Sequence, residues 1–290
     1  MKRIFKCLVA AVLVVAMCFS FVGCGSDKII VQTNAYFAPF EYFNGDKIVG
    51  VDVDIMNKVG ERLDKEVEFK NGDFGQIIDI INKGKVADVG AAGITITEER
   101  AEKVDFSIPY YTSVQYVIWK ATDNSLTTSK ASDGNTDIIL WSQLAGKKIG
   151  VQRDTTGDIY VNVEINDIND EDYYDDTYQG ALQGTNTKND CVRYDDAQVA
   201  VSALSSGLIN CVVVDKLPAE YIVNSNSSYK CAALYYDAST ATEESYAMCV
   251  TPGNEELLTA INQVLTEMKA DVVGGKNAIE RLIEQHLGLN

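Results

Sequence analysis

Short apolar runs alternate with segments whose apolar residues recur every three or four positions along most of the chain after residue 26. Short runs bounded by polar residues predict strands, and the helical spacing predicts amphipathic helices. In the first half, strands are predicted at 28–33, 47–51, 66–70 and 87–92, and helices around 55–63 and 77–81. Because this alternation is typical of a mainly parallel sheet with helices on both faces, the sequence predicts an α/β fold.

The same alternation resumes after Thr122, which predicts a second α/β unit and therefore two lobes. An acidic stretch at about 162–190, rich in Asp, Asn, Tyr and Gly, interrupts the second unit. We predict that this stretch is an exposed insertion with little core of its own. The other predicted segments are a helical turn at 141–144, strands at 147–151 and 210–214, and helices at 197–205, 257–268 and 278–287.

The N-terminus combines a basic start with an unbroken apolar run at 7–22. The run is short for a membrane span and ends in small residues, which predicts an export signal. Residues 21–24 read Phe-Val-Gly-Cys and resemble the lipobox of bacterial lipoproteins, whose cysteine becomes the lipidated N-terminus of the cleaved protein. We therefore predict a lipoprotein signal peptide at 1–23, lipidation of Cys24 and a tether at 24–28. An ordinary secretory signal and an N-terminal membrane anchor are the alternatives.

The chain is strongly acidic, with a formal net charge of −17 at pH 7. The predicted leader holds three basic residues and no acidic one, so its removal leaves a net charge of −20. Such a body does not bind nucleic acid or an anionic membrane surface through bulk electrostatics. We therefore predict an extracytoplasmic protein that is soluble in its body and attached to the cell membrane only through its N-terminal lipid.

Four cysteines follow the predicted lipidation site, and four thiols allow three pairings. Two of them lie in apolar, strand-like runs, where a free thiol packs as a small hydrophobic group, so we predict mostly free thiols. No metal-ligand spacing is present, and neither a metal nor a cofactor is predicted. The only histidine is His286, which argues against Ser-His or Cys-His catalysis and against a multi-histidine zinc site. The four cysteines are Cys191, Cys211, Cys231 and Cys249.

Polar groups follow three of the predicted strands. Gly93 allows close approach to the backbone, threonines after it offer hydroxyl groups, and Arg100 offers a planar fork of donors that matches a carboxylate. Residues 152–157 follow a second strand, and Asp215 ends a third. Since ligands of open α/β sheets bind beyond the carboxyl ends of the strands, these groups predict a cleft between two lobes for a small molecule that carries a carboxylate.

These motifs and several others, which follow one another in the family's order, resemble those of the bacterial extracellular solute-binding proteins of the polar amino-acid family (family 3), the receptors of ABC importers. The resemblance covers nearly all of 29–290 except the acidic insertion. It implies a two-lobe, type II periplasmic-binding-protein-like (Venus flytrap) fold, with lobe 1 at 29–113 and 243–290 and lobe 2 at 114–242. The segments that carry it are 34–41 (Asn-Ala-Tyr-Phe-Ala-Pro-Phe-Glu), 50–55 (Gly-Val-Asp-Val-Asp-Ile), 93–100, 104–107 (Val-Asp-Phe-Ser), 109–111 (Pro-Tyr-Tyr) and 206–215.

The resemblance also implies the function. The protein would be a lipid-anchored monomer that captures a polar amino acid between its lobes and delivers it to the transmembrane permease subunits of an ABC transporter. The hinge would lie near 111–115 and 242–246, and no catalytic role is expected. An amino-acid-sensing lipoprotein and a dehydratase-like enzyme on the same fold are the alternatives.

Residue roles follow from the same resemblance. Arg100 would bind the α-carboxylate, Asp215 from the opposite lobe would bind the α-ammonium, and Thr95 and the Gly93 carbonyl would help to hold these two groups. Because a zwitterion neutralises both charges at once, it would bind the closed form preferentially.

Two of these roles have structural alternatives. Arg100 could instead pair with Glu98 or Asp105 at the surface. Asp215 could instead cap the helix that includes Pro218.

Thr155 and Thr156, with the N–H groups of the following helix start, would complete the carboxylate site, although the same residues could simply cap that helix. Asp154 departs from the family pattern, which has a glycine there.

The ligand side chain would lie between Phe37 and Phe74, which taken alone are equally typical of core residues. Asn34 and Gln152 would contact its tip. Since Asn34 stands where an acidic group would favour a strongly cationic side chain, we predict a neutral polar amino acid resembling glutamine.

Overall fold

The computed structural model describes residues 28–288. The predicted signal peptide, the lipidation site Cys24 and the tether before Lys28 lie outside this range. Across the described range, no helix combines the length and the apolar character that crossing a bilayer requires.

The described residues alternate strands and helices as the sequence predicts. The helices are α1 (Val51–Leu63), α2 (Ile77–Lys83), α3 (Glu98–Ala101), α4 (Thr156–Ile165), α5 (Ala197–Ser206), α6 (Lys216–Ser225), α7 (Glu255–Ala270) and α8 (Ala278–His286). The strands are β1 (Lys28–Thr33), β2 (Tyr36–Phe37), β3 (Glu41–Asn44), β4 (Lys47–Val49), β5 (Glu66–Asn71), β6 (Val89–Gly90), β7 (Asp105–Phe106), β8 (Tyr111–Lys120), β9 (Ser129–Lys130), β10 (Asp137–Leu140), β11 (Ile149–Gln152), β12 (Cys191–Tyr194), β13 (Cys211–Asp215), β14 (Tyr229–Tyr235), β15 (Glu243–Tyr246), β16 (Cys249–Val250), β17 (Val272–Val273) and β18 (Lys276–Asn277).

The first lobe is built on a sheet with the strand order β5-β1-β6-β16-β7. β1 is parallel to β5 and β6, whereas β16 is antiparallel to β6 and β7. Helix α1 contacts β5 and α7, and its predicted apolar face is buried through Ile55, Met56 and Val59. The apolar stripe of α7 joins the same core.

The second lobe is built on a sheet with the order β12-β11-β13-β8-β14-β10-β9. β11 is parallel to β12 and β13, and β10 is parallel to β14. β8, however, is antiparallel to β13 and β14. The α/β class is therefore confirmed, but both sheets are mixed, and the prediction of mainly parallel sheets is only partly correct.

Two adjacent strands join the lobes. β8 leaves the first lobe and enters the second sheet, and β15 returns beside it in antiparallel register, with Val114 opposite Glu243 and Tyr111 opposite Tyr246. β8 spans the predicted boundary at 113 and 114, and β15 pairs with β8 although its residues belong to the predicted first lobe. The lobe boundaries and the position of the hinge stay predictions.

Two predicted strands are shorter in the structure. The 87–92 strand is reduced to β6, because beyond Gly90 the chain leaves the sheet, with one further bond from the Ala91 amide to the Gln32 carbonyl. The 47–51 strand ends at Val49, because Gly50 adopts a φ of 140° and α1 begins at the next residue.

The acidic stretch at 162–190 is attached to the second lobe at a few points. Its first four residues complete α4, and Leu182 is fully buried in the core of the second lobe. The buried Asn166 amide nitrogen donates to the carbonyls of Asp175 and Tyr178, 2.9 and 2.8 Å away. Asn186 donates 2.8 Å to the Lys147 carbonyl. Most of the stretch after Asn166 is exposed, as predicted, and its buried side chains hold the loop backbone against the lobe.

Candidate functional site

The candidate site lies between the lobes, beyond the carboxyl ends of β1, β6, β11 and β13. Nine of the ten predicted ligand-binding residues line one small cavity, together with Ala92. Arg100 lines the adjoining pocket, which shares Phe74 with the cavity. The nine are Asn34, Phe37, Phe74, Gly93, Thr95, Gln152, Thr155, Thr156 and Asp215.

Arg100 is buried between the lobes rather than exposed. One guanidinium nitrogen donates 2.9 Å to the Thr95 carbonyl, and the other donates 3.1 Å across the cleft to the Asp154 carbonyl. Its Cζ lies 5.4 Å from the centre of the Phe74 ring. Burial lowers the pKa of Arg100, and the negative charge of Glu244 opposes this shift most strongly. Arg100 therefore makes contacts inside the cleft and not the surface ion pair with Glu98 or Asp105 that was the alternative.

Gly93 is held in place by a buried carboxylate of the first lobe. Its amide donates 3.1 Å to Asp52, which also accepts 2.7 Å from the Tyr110 hydroxyl. Gly93 adopts a φ of 54°, and a Cβ there would lie 2.7 Å from a ring carbon of Phe37. Only glycine therefore fits at this position without displacing the aromatic ring.

The N-terminus of α4 faces the first lobe. Thr155 is the N-cap residue, whose hydroxyl accepts from the Asp158 amide at 3.4 Å and donates to the Gln152 carbonyl at 2.8 Å. Thr156, by contrast, points its hydroxyl into the site, 3.5 Å from that of Thr95. Asp154 has a φ of 63°, a left-handed conformation that explains a glycine in the family pattern and that aspartate tolerates.

Asn34 and Gln152 meet across the cleft. The Gln152 amide nitrogen donates 3.0 Å to the Asn34 side-chain oxygen, and Asn34 donates 2.7 Å to the Gly72 carbonyl. The side-chain oxygen of Gln152 is buried without a hydrogen-bond partner among residues 28–288. This end of the cavity therefore offers a ligand an unused acceptor.

The two predicted aromatic residues differ in their surroundings. Phe37 is buried and packs with Phe40 and Tyr246, so it belongs to the core and to the cavity wall together. Phe74 is only partly buried and lies under the guanidinium of Arg100. Both rings line the cavity.

Asp215 ends β13 and is buried at the site. It occupies the position before α6 but makes no capping hydrogen bond, so the alternative of a helix cap is wrong. Its carboxylate instead accepts a 2.5 Å hydrogen bond from the Tyr246 hydroxyl.

Glu244 is a buried carboxylate of the site that the sequence did not predict. One oxygen accepts from the hydroxyls of Thr95 and Thr156, both at 2.6 Å. The other accepts from the Gln115 amide nitrogen, also at 2.6 Å. The available signal was the period of two along β15, which places Glu244 on the same face as Thr242 and Tyr246, all three buried.

The two buried carboxylates affect each other. Burial, followed by the negative charge of Glu244, raises the pKa of Asp215 to about 8. Burial also raises the pKa of Glu244, whereas hydrogen bonds from Thr156, Thr95 and Gln115 and the charge of Arg100 oppose that rise. A cation that enters the site favours the ionised forms of both groups.

The site holds no feature typical of metal binding or thiol chemistry. Within residues 28–288, no group of His, Cys, Asp and Glu side chains is arranged to hold a metal ion. The four cysteines of the described range are free thiols, and burial raises the pKa of Cys249 to about 12, although the charge of Arg100 opposes this shift. What the arrangement offers is recognition: a guanidinium, two carboxylates, hydroxyls and aromatic walls between two lobes.

Comparison with known proteins identifies the family. The arginine-binding extracellular protein ArtP of Bacillus subtilis is 35% identical over 161 residues, which cover 52% of this chain and about half (56%) of ArtP. The ABC transporter arginine-binding protein 1 of Escherichia coli is 27% identical over 267 residues, covering 92% of this chain and 94% of that protein. The crystal structure of the substrate-binding protein AbpA of Streptococcus pneumoniae bound to L-arginine has a TM-score of 0.72 at 25% identity, covering 90% of this chain and 95% of AbpA. A sequence model of the family matches residues 29–282, and the chain therefore belongs to the bacterial extracellular solute-binding proteins, family 3, as its sequence predicts.

Proposed function

We propose that the protein captures an amino acid between its lobes and delivers it to the permease of an ABC importer. The observation that carries the proposal is the position of Arg100 and Asp215, which come from different lobes and are both buried at the same cleft. The arginine-binding relatives support it. They give no support to the alternatives of a sensor or a dehydratase-like enzyme.

In the proposed complex, the ligand carboxylate exchanges for the backbone carbonyls that Arg100 now binds. The N–H groups at the start of α4 complete the carboxylate site, while the Thr156 hydroxyl keeps its bond to Glu244. Asp215 and the Gly93 carbonyl bind the α-ammonium. Because these groups belong to two lobes, the ligand stabilises the closed arrangement, which the permease can distinguish from the open one.

The first experiment is calorimetric titration of the protein and of Arg100→Lys with the common amino acids. Lysine keeps the charge but loses the bidentate fork. A charge-assisted hydrogen bond contributes about 1.5–3 kcal/mol, so we expect the affinity to fall by a factor on the order of 10 to 100. Arg153→Lys is the matched control, since Arg153 lies across the cleft beside Asp154, whose carbonyl Arg100 binds, and has a half-exposed side chain. Equal affinities of the wild-type protein and Arg100→Lys would refute the assignment of Arg100.

We further propose that the protein works as a monomer tethered outside the cell membrane through lipidated Cys24. The support is the lipobox-like sequence at 21–24, which lies outside the described residues. Cys24→Ala is expected to abolish the incorporation of labelled palmitate into the protein, whereas Cys18→Ala leaves it unchanged. Undiminished labelling of Cys24→Ala would exclude this anchor.

A further inference from the structure

The site carries more negative than positive charge. Asp215 and Glu244 are both buried there, and Arg100 is the buried cation next to them. A zwitterion with a neutral side chain adds no net charge, so it leaves one carboxylate without a compensating cation. An uncompensated buried charge is unfavourable, and a proton or a cation must neutralise it.

Building on the function proposed above, we propose that Glu244 is a specificity-determining residue that makes the site prefer an amino acid with a cationic side chain over a neutral one. The hydroxyl and amide groups that donate to Glu244 orient the carboxylate but bring no positive charge. The positive side chain of the ligand supplies it.

The free hydrogen-bonding groups of the site favour the same ligand class. In the described part of the chain, the side-chain oxygens of Gln152 and Gln115 are both buried without a hydrogen-bond partner. Gln152 lines the cavity, and Gln115 binds Glu244. Unused buried acceptors favour a group with several N–H donors, such as a guanidinium or an ammonium group.

Glu244 also changes the prediction drawn from Asn34. The prediction of a neutral ligand assumes that an acidic residue at position 34 would be needed to bind a cationic side chain. In the structure, Asn34 binds Gln152 and Gly72, and the extra negative charge comes from β15. A cationic ligand therefore does not require an acid at position 34.

The charge balance makes ligand preference depend on pH. The titratable groups that interact with the carboxylate pair are Arg100 of α3, Tyr111 of β8, Tyr160 of α4, Tyr236 after β14 and Tyr246 of β15. Burial raises the pKa of all four tyrosines, so they stay neutral near pH 7, and Arg100 stays charged. Among these groups, the carboxylate pair alone changes its charge between pH 6 and pH 8. A cationic ligand binds best when both carboxylates are ionised, whereas a neutral ligand binds with one of them protonated, so the preference for the cation grows as pH rises towards 8.

The test compares L-arginine with L-glutamine. Both have long side chains that end in a planar group, and the side chain of arginine is charged whereas that of glutamine is neutral. Affinities are measured by calorimetry at pH 7 for the wild-type protein, Glu244→Gln and Glu243→Gln. Glu243 is the matched control because it is the exposed neighbour on the same strand. We expect the wild-type protein to favour arginine and Glu244→Gln to reduce the arginine-to-glutamine affinity ratio at least tenfold. Glu243→Gln should leave this ratio within a factor of two.

The outcomes separate this inference from the proposed function. Failure of the wild-type protein to bind any amino acid would refute the proposed function itself. Binding of amino acids with a ratio that Glu244→Gln changes less than tenfold would refute only the role of Glu244. If Glu244→Gln does not fold, the wild-type protein decides: an arginine-to-glutamine ratio that rises between pH 6 and pH 8 supports the inference, and a constant ratio overturns it.

Discussion

At the scale of single residues, two pairs of buried acids surround the site. Asp215 and Glu244 lie at the cleft, and Glu41 and Asp52 lie behind it in the first lobe. Burial, followed by the charge of Asp52, raises the pKa of Glu41 well above its usual value. Asp52, whose pKa burial raises to about 6, accepts from Tyr110 and Gly93. Asp52 therefore fixes the Gly93 peptide from behind the cavity.

The contrast between Arg100 and Glu244 shows what residue patterns alone can predict. Arg100 and Asp215 follow apolar strands in motifs whose residue types favour a binding site, so their position at the cleft could be predicted. Glu244 stands beside an equally acidic Glu243, and only strand pairing decides which of the two is buried. The same holds for Gln115, whose partner lies 129 residues away in the chain.

At the scale of elements, the segment after α4 behaves as part of the second lobe. Leu182 is fully buried in the same cluster as Leu144 and Ile165, whereas Ile168 is 73% exposed. Leu182→Ala is expected to destabilise the protein by about 2–5 kcal/mol through the lost burial and the cavity left behind.

The control for Leu182→Ala is Ile168→Ala, which should change the stability by no more than about 0.5 kcal/mol. Urea denaturation of both variants measures the difference. Equal stabilities would mean that the segment is a solvated loop, as the sequence predicts.

Helices with regular apolar spacing could be predicted closely, because one buried face fixes both their type and their extent. β1 and α7 lie where the pattern predicts them, and α1 ends as predicted but begins at Val51, within the segment predicted as a strand. The ends of short strands such as β6 could not be predicted, because they depend on where a neighbouring strand stops pairing. β8 and β14 were not predicted for the same reason, since they are defined by their antiparallel partners.

At the scale of the whole molecule, the connection between the two lobes is part of the binding site. β8 and β15 lie side by side at the crossing, and β15 carries Glu244 into the site. Direct bonds between the lobes, from Arg100 to Asp154 and from Gln152 to Asn34, close the cleft. A bound ligand replaces part of this network with its own charges, and binding is thereby coupled to closure.

The most direct test of the proposed function is a crystal structure of the protein with a bound amino acid, L-arginine being the first choice. We predict that the ligand carboxylate lies about 3 Å from the guanidinium nitrogens of Arg100 and that its α-ammonium lies equally close to Asp215. A ligand bound elsewhere, or one that leaves Arg100 on the carbonyls of Thr95 and Asp154 alone, would contradict the proposal.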